Sequence, residues 1–175
     1  MKSHARVVII GGGINGCGLA YHLTKIPGWN DIVLVEKDEL TSGSTWLAAG
    51  HVVQYFNNRA GARLHQYSIE LYQNLEKETG QGTGWHTTGS LRLAQTKARL
   101  DEYKHVLSKD HNLGLECHLV TPDEMKKLFP YMHTDGLVGG LHHVVDGHYD
   151  PAGTTQALAT GARMGGAEIV RFNRV

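Results

Sequence analysis

Three glycines and an acid carry the first chemical signal in this chain. Gly11-x-Gly13-x-x-Gly16 follows the apolar run Val7–Ile10 and precedes a segment with helical apolar spacing. Glu36 stands about 20 residues further on, the separation a dinucleotide site uses. Between a strand and a helix, the first glycine permits a tight turn and the second lets the backbone approach a pyrophosphate. The third lets the helix pack closely on the strand. Phosphates held there meet unpaired N–H groups and the positive end of a helix dipole. A carboxylate after the second strand accepts hydrogen bonds from an adenosine ribose and repels a 2′-phosphate, so NADP is disfavoured. These residues alone leave FAD and NAD both open.

A second chemical stretch is "GSTWLAAG" at 43–50. Ser42, Ser44 and Thr45 can donate to phosphate oxygens, while Ala48, Ala49 and Gly50 are small enough for a backbone to lie against a flat ring. Taken by itself the stretch reads equally well as a polar turn entering a short helix with Trp46 in the core. Other candidates carry less. His142, His143, Asp146 and His148 look like a metal cluster, but on a strand His142 and His143 point to opposite faces. Asp146-Gly147 suggests a turn, and no metal is expected there. Cys17 near a helix start reads as apolar packing rather than an acidified thiol. Arg92, and less so His86, could meet a carboxylate, although exposure at the surface is the plainer reading. No Ser-His-Asp or paired-carboxylate arrangement stands out, and the catalytic residues are left unassigned.

The elements that position these groups follow from periodicity and punctuation. Val7–Ile10 suits a parallel strand buried on both faces. Ile14, Cys17, Leu19 to Tyr21, Leu23 and Ile26 form a helical stripe stopped by Pro27-Gly28, and 31–36 is a second buried strand. The three elements make one βαβ unit. Leu64, Tyr67, Leu71, Tyr72 and Leu75 mark an amphipathic helix over 62–77. Strands are expected at 90–94, 116–120 and 137–145, the last with a Gly-Gly break, and a charged helix at 97–109. Thr121-Pro122-Asp123-Glu124 is a helix start with a capping box, and Asp150-Pro151 opens another helix that Gly165-Gly166 closes. Residues 168–170 begin a third parallel strand. The strand-rich block 82–145 breaks the alternating order and reads as an insertion.

Composition bounds the function. The chain has 175 residues, enough for one ordinary domain with a real core. Its 17 basic and 17 acidic side chains balance, so no net field recruits nucleic acid or an anionic membrane. No apolar run is long enough to span a bilayer or to serve as a signal-peptide core. Two cysteines far apart in sequence favour a reducing compartment. A cytoplasmic protein is expected, or a mitochondrial-matrix one whose leader has been removed.

With Glu36-Lys37 followed by "DELTSGSTWLAAG", the chain resembles the FAD-dependent amine oxidoreductases of the D-amino-acid-oxidase superfamily, and within it the sarcosine and dimethylglycine dehydrogenases. "LEKETG", "GSLRLA", "RLDEYKHVL" and "DGHYDPAGTTQALATGAR" extend the likeness over essentially the whole chain. The resemblance implies an α/β class: a Rossmann-like FAD domain, 1–81 and 146–175, with an interleaved antiparallel substrate layer beginning at 82–145. It implies oxidation of an N-methylated glycine by hydride transfer to flavin. The iminium product would release formaldehyde or pass one carbon to tetrahydrofolate, with an electron-transfer flavoprotein as acceptor. It places Gly11, Gly13, Ile14, Asn15 and Gly16 at the pyrophosphate and Glu36 and Lys37 at the ribose. Gly43, Ser44, Thr45, Trp46, Leu47, Ala48, Ala49, Gly50 and His51 fall along the phosphates and ring. At the position of Leu47 the similar enzymes commonly carry a His bonded to the flavin 8α carbon. Leu has no nucleophilic atom, so FAD is expected to be non-covalent. His51 is a remote substitute anchor. Enzymes of this kind are more than twice as long, so a fragment or truncated product with little activity alone is expected. A non-catalytic flavin-binding or regulatory relative is the alternative, and an NAD-dependent dehydrogenase a weaker one.

Overall fold

The computed structural model describes residues 4–56 and 58–175. The chain begins with β1 (Val7–Ile10), α1 (Ile14–Thr24) and β2 (Ile32–Val35), then a 3-10 turn at Thr45–Leu47, β3 (His51–Val52) and α2 (Arg59–Thr79). It continues through β4 (His86–Thr87), β5 (Ser90–Ala94), α3 (Lys97–Asn112), β6 (Cys117–Val120) and α4 (Pro122–Leu128). β7 (Gly139–His143), β8 (Gly147–His148), α5 (Pro151–Met164) and β9 (Glu168–Val170) complete it. These divide into two compact units, one of the chain up to Gly50 with 70–85 and 149–175, the other of 51–69 and 86–148. The second unit thus runs over 86–148 where the expected inserted block was 82–145, and it also takes in 51–69, whose β3 pairs with β8.

In the first unit β1, β2 and β9 form a parallel sheet with β2 in the centre. All four residues of β2 are buried, as a central strand covered on both faces requires. β1 departs from expectation. Ile9 is buried, but Val8 and Ile10 are exposed, because β1 pairs only with β2 and only its Ile9 face is covered by described residues. The core joins Ile9, Cys17, Ala20, Tyr21, Leu34, Leu75 and Leu158. Helices α1 and α5 pack on each other through small residues; a Cβ on Gly161 would lie 2.6 Å from the Tyr21 ring. Asp150 caps α5 by accepting from the Ala152 and Gly153 N–H groups, with Pro151 at the first helical position. α2 is longer than expected. Its buried positions are Ala62, Ile69 and Leu75, whereas Leu64 and Tyr67 are exposed. The helix buries a stripe rotated away from those two, so apolar spacing alone misplaced the face.

The second unit holds two antiparallel sheets, β3-β8-β4 and β5-β7-β6. In the larger one Ser90 and Cys117 flank His143 on the central strand. Gly139-Gly140 does not break β7 but starts it. A Cβ on Gly140 would sit 2.6 Å from the Arg92 carbonyl oxygen and 3.0 Å from the Met125 sulfur, so the pair admits close neighbours. Thr121 caps α4 in a complete capping box with Glu124, which anchors buried Met125 against the sheet. Asp146-Gly147 is not a free turn either. Asp146 is fully buried, accepts from the Gln54 N–H at 2.7 Å and from the Ser90 hydroxyl at 2.5 Å, and Gly147 already belongs to β8.

Candidate functional site: the glycine loop and its acid

The loop between β1 and α1 is held from three sides. Gly11 has φ +107°, a conformation that strains any side-chain-bearing residue, and its N–H donates to the Val35 carbonyl at 2.8 Å. A Cβ on Gly16 would be driven into the Gly11 carbonyl oxygen, so the third glycine is what lets α1 start so close to the strand. Gly12, which sequence reasoning passed over, is buried and has no room for a Cβ between Leu40 and Glu36. The unbroken run Gly11-Gly12-Gly13 was the available signal.

Glu36 is the third support. One carboxylate oxygen accepts from the Gly12 N–H at 2.6 Å and the other from the Asp38 N–H at 2.9 Å. These bonds, first Gly12 and then Asp38, hold its carboxyl below the usual carboxylate range. An ionised carboxylate offers about four acceptor positions, so each oxygen keeps capacity for a further donor such as a ribose hydroxyl. Glu36 thus positions the loop as well as facing the cleft. Asp38, absent from the sequence-level site, takes part through its backbone.

Thr45 closes the site. Its hydroxyl oxygen accepts from the Ile14 N–H at 3.0 Å, replacing a cap that Gly13 has no side chain to supply. The Thr45 proton stays available for donation to a phosphate oxygen. Asn15 and Gly16 occupy the second and third positions of α1, whose N–H groups have no intrahelical acceptor. A cleft of about 250 Å³ opens here, lined by Gly13, Glu36, Lys37, Asp38, Ser42, Gly43, Ser44 and Thr45. Thr41 at its rim has φ 71°, a strained value for a β-branched residue, with its N–H on the Gly12 carbonyl at 3.1 Å. The structure therefore brings the glycines, Glu36, Lys37 and 43–45 together around one helix N-terminus. That helix end, with an acid 24 residues from Gly12 in sequence bound to its loop, fits the adenosine and pyrophosphate part of a dinucleotide.

The rest of 43–51 sorts by exposure. Trp46 is 62% exposed and Leu47 68%, so the core reading of Trp46 fails: the 3-10 turn presents both side chains outward. Ala48 and Ala49 are exposed, and Gly50 is buried with its carbonyl accepting from the Tyr149 N–H at 2.9 Å. His51 is exposed at the start of β3. Cys17 is buried and its thiol is pushed up to about 11, chiefly by burial, which suits packing and not nucleophilic chemistry.

In the second unit the weaker candidates separate. The Arg92 guanidinium lies over the Tyr55 ring at 4.3 Å. His86 is exposed, its ring 5.1 Å from that of His148. His142 and His143 do fall on opposite faces of β7. His142 lines a cleft of about 620 Å³ with Thr88, Ser90, Leu91 and Phe129, while His143 is fully buried against Asp110. Among the described residues no helix is long and apolar enough to cross a membrane.

Residues 6–175 match the family described as DAO, FAD dependent oxidoreductase. The mitochondrial dimethylglycine dehydrogenase of Rattus norvegicus is 46% identical over 162 residues, covering 93% of this chain and 19% of that protein. The mitochondrial sarcosine dehydrogenase of Homo sapiens is 42% identical over 171 residues, covering 97% of this chain and 18% of that one. The crystal structure of L-proline dehydrogenase from P. horikoshii matches with a TM-score of 0.90 at 28% identity, over 100% of this chain and 46% of its own. The chain thus spans less than a fifth of the length of these two dehydrogenases of N-methylated glycines.

Proposed function

The chain belongs to the FAD-dependent oxidoreductase family, and from that premise we propose that it holds FAD without a covalent link in a protein that oxidises an N-methylated glycine such as sarcosine or dimethylglycine. FAD, when bound, supplies the two-electron acceptor for the hydride leaving the amine carbon. The residues of this chain bind and orient it. The N–H groups of Asn15 and Gly16, with the hydroxyls of Thr45, Ser44 and Ser42, face the pyrophosphate, and Gly13 keeps the approach open. Glu36 and Lys37 take the adenosine ribose. Gly43 through His51 line the path toward the ring, and Leu47 supplies no atom able to bond a flavin carbon. A one-carbon acceptor such as tetrahydrofolate, an electron-transfer flavoprotein, and a mitochondrial-matrix setting in a eukaryotic host belong to the same proposal.

The observation that carries the reading is the loop itself: Glu36 bonded to the Gly12 N–H and Thr45 bonded to the Ile14 N–H frame one open cleft at the start of α1. The test is anaerobic addition of sarcosine or dimethylglycine to the FAD-loaded protein. Loss of the flavin absorption supports amine oxidation. Little turnover is expected of this chain alone, so an inert flavin favours a flavin-binding protein without chemistry only in a protein of the relatives' full length. Binding of NAD in place of flavin removes the reading altogether.

A further inference from the structure

Within the second unit, one group of side chains has no part in the reading above. Asp110, Cys117 and His143 are each 0% exposed. Their candidate ligand atoms all lie within 4.8 Å of one another. Three different elements deliver them. Cys117 and His143 are directly paired across β6 and β7, which puts both side chains on one face of the sheet at neighbouring positions. Asp110 comes down on that face from the last turn of α3. The supports are rigid: the Asp110 carbonyl accepts from the Leu113 and Leu115 N–H groups, and His111 hydrogen-bonds the Cys117 carbonyl at 3.0 Å.

Asp110 is in a costly place. A carboxylate in the last turn of a helix meets the negative end of the dipole, and burial removes the water that would otherwise stabilise it. His143 offers one compensating contact, with Nε2 2.9 Å from Asp110 Oδ2. Among the described residues the other carboxylate oxygen, Oδ1, is buried without a hydrogen-bond partner, and so is His143 Nδ1. Buried polar atoms left unpaired are rare and call for a missing partner.

We propose that Asp110, Cys117 and His143 form a buried site for one divalent metal ion of the zinc type. Thiolate sulfur, imidazole nitrogen and carboxylate oxygen together are the donor set that Zn²⁺ accepts, whereas Ca²⁺ and Mg²⁺ require oxygen throughout. Asp110 ligating through both oxygens brings the donor count to four, and Oδ1 gains the partner it lacks. The charges also close. One carboxylate and one thiolate balance a divalent ion, with the thiol proton released to solvent as the metal–sulfur bond forms. The ion would pin the end of α3 to β6 and β7, a structural role separate from flavin binding.

The experiment is titration of the metal-stripped protein with Co²⁺, followed by competition with Zn²⁺. One equivalent should bind and give a near-ultraviolet thiolate-to-cobalt charge-transfer band with tetrahedral visible bands, and Zn²⁺ should abolish both. Cys117→Ser and Asp110→Asn should lose the charge-transfer band and the bound equivalent respectively, in proteins whose circular dichroism shows them folded. Zinc-edge X-ray absorption of the unmutated protein gives a readout that does not rely on a variant folding. It should show one sulfur among nitrogen and oxygen neighbours. Absence of a bound equivalent, a band that persists in Cys117→Ser, or a zinc spectrum without sulfur overturns the proposal.

Discussion

Replacing Glu36 by Gln exchanges one carboxylate oxygen for an NH₂ group and removes one charge, and the structure states what that does. In the native protein each carboxylate oxygen accepts one backbone N–H, from Gly12 and from Asp38. A Gln amide has one oxygen, so one of those N–H groups loses its acceptor and faces an NH₂ instead, and the surviving bond loses its charge. A hydrogen bond to a charged group contributes about 1.5–3 kcal/mol, so the substitution should destabilise the protein by about 2–3 kcal/mol. For a chain of this length that lowers Tm by roughly 5–10 °C. The penalty should depend on pH in one direction. Glu36 has a folded pKa below its ordinary value, so the unfolded chain binds the proton more tightly. Its stabilising contribution is fully present above the unfolded pKa of about 4.3 and is lost as pH falls through the folded pKa. Urea unfolding of both proteins should show the full gap near pH 7 and a shrinking gap below about pH 4. A difference under about 0.5 kcal/mol at neutral pH, the scatter of ordinary surface changes, would refute the support assigned to Glu36. So would a gap that stays constant with acidification.

Four further changes test other parts of the structure. Gly16→Ala forces a Cβ into the Gly11 carbonyl and should abolish FAD binding and cost more than about 2 kcal/mol by overpacking. Gly43→Ala, where the added Cβ meets nothing among the described residues within 4 Å, should leave stability within about 0.5 kcal/mol; thermal melts and flavin fluorescence read both. Leu34→Ala empties a fully buried position in the central strand and should cost about 2–5 kcal/mol in urea unfolding. Thr121→Ala removes the α4 capping box and should cost about 1 kcal/mol, with increased amide exchange confined to the first turn of that helix.

Local features were legible in the sequence because their causes are local. β2 follows from four consecutive buried apolar residues, and α4 and α5 from caps written in adjacent letters. The glycine loop and its acid were equally plain, since tight turns and close approaches demand particular residues. What escaped depends on partners distant in the chain. Whether Val8 and Ile10 are covered is decided by which strands and helices join the sheet, not by the β1 letters. Trp46 points outward because the chain from Thr45 to Leu47 forms a 3-10 turn whose buried member is Thr45. The Asp110–His143 contact joins residues 33 apart, and no spacing rule connects a helix end to the middle of a sheet. Glu36 was recognised for the ligand it could meet, while its bond to Gly12 became visible only when the second strand was set beside the first.

The central claim is that this chain binds FAD at the start of α1 and forms no bond to it. It is tested most directly by loading the protein with FAD, removing unbound flavin, and precipitating with acid. One flavin per chain is expected, all of it in the supernatant, and none retained by Gly16→Ala before precipitation. A yellow pellet, or a native chain that retains no flavin, would contradict it.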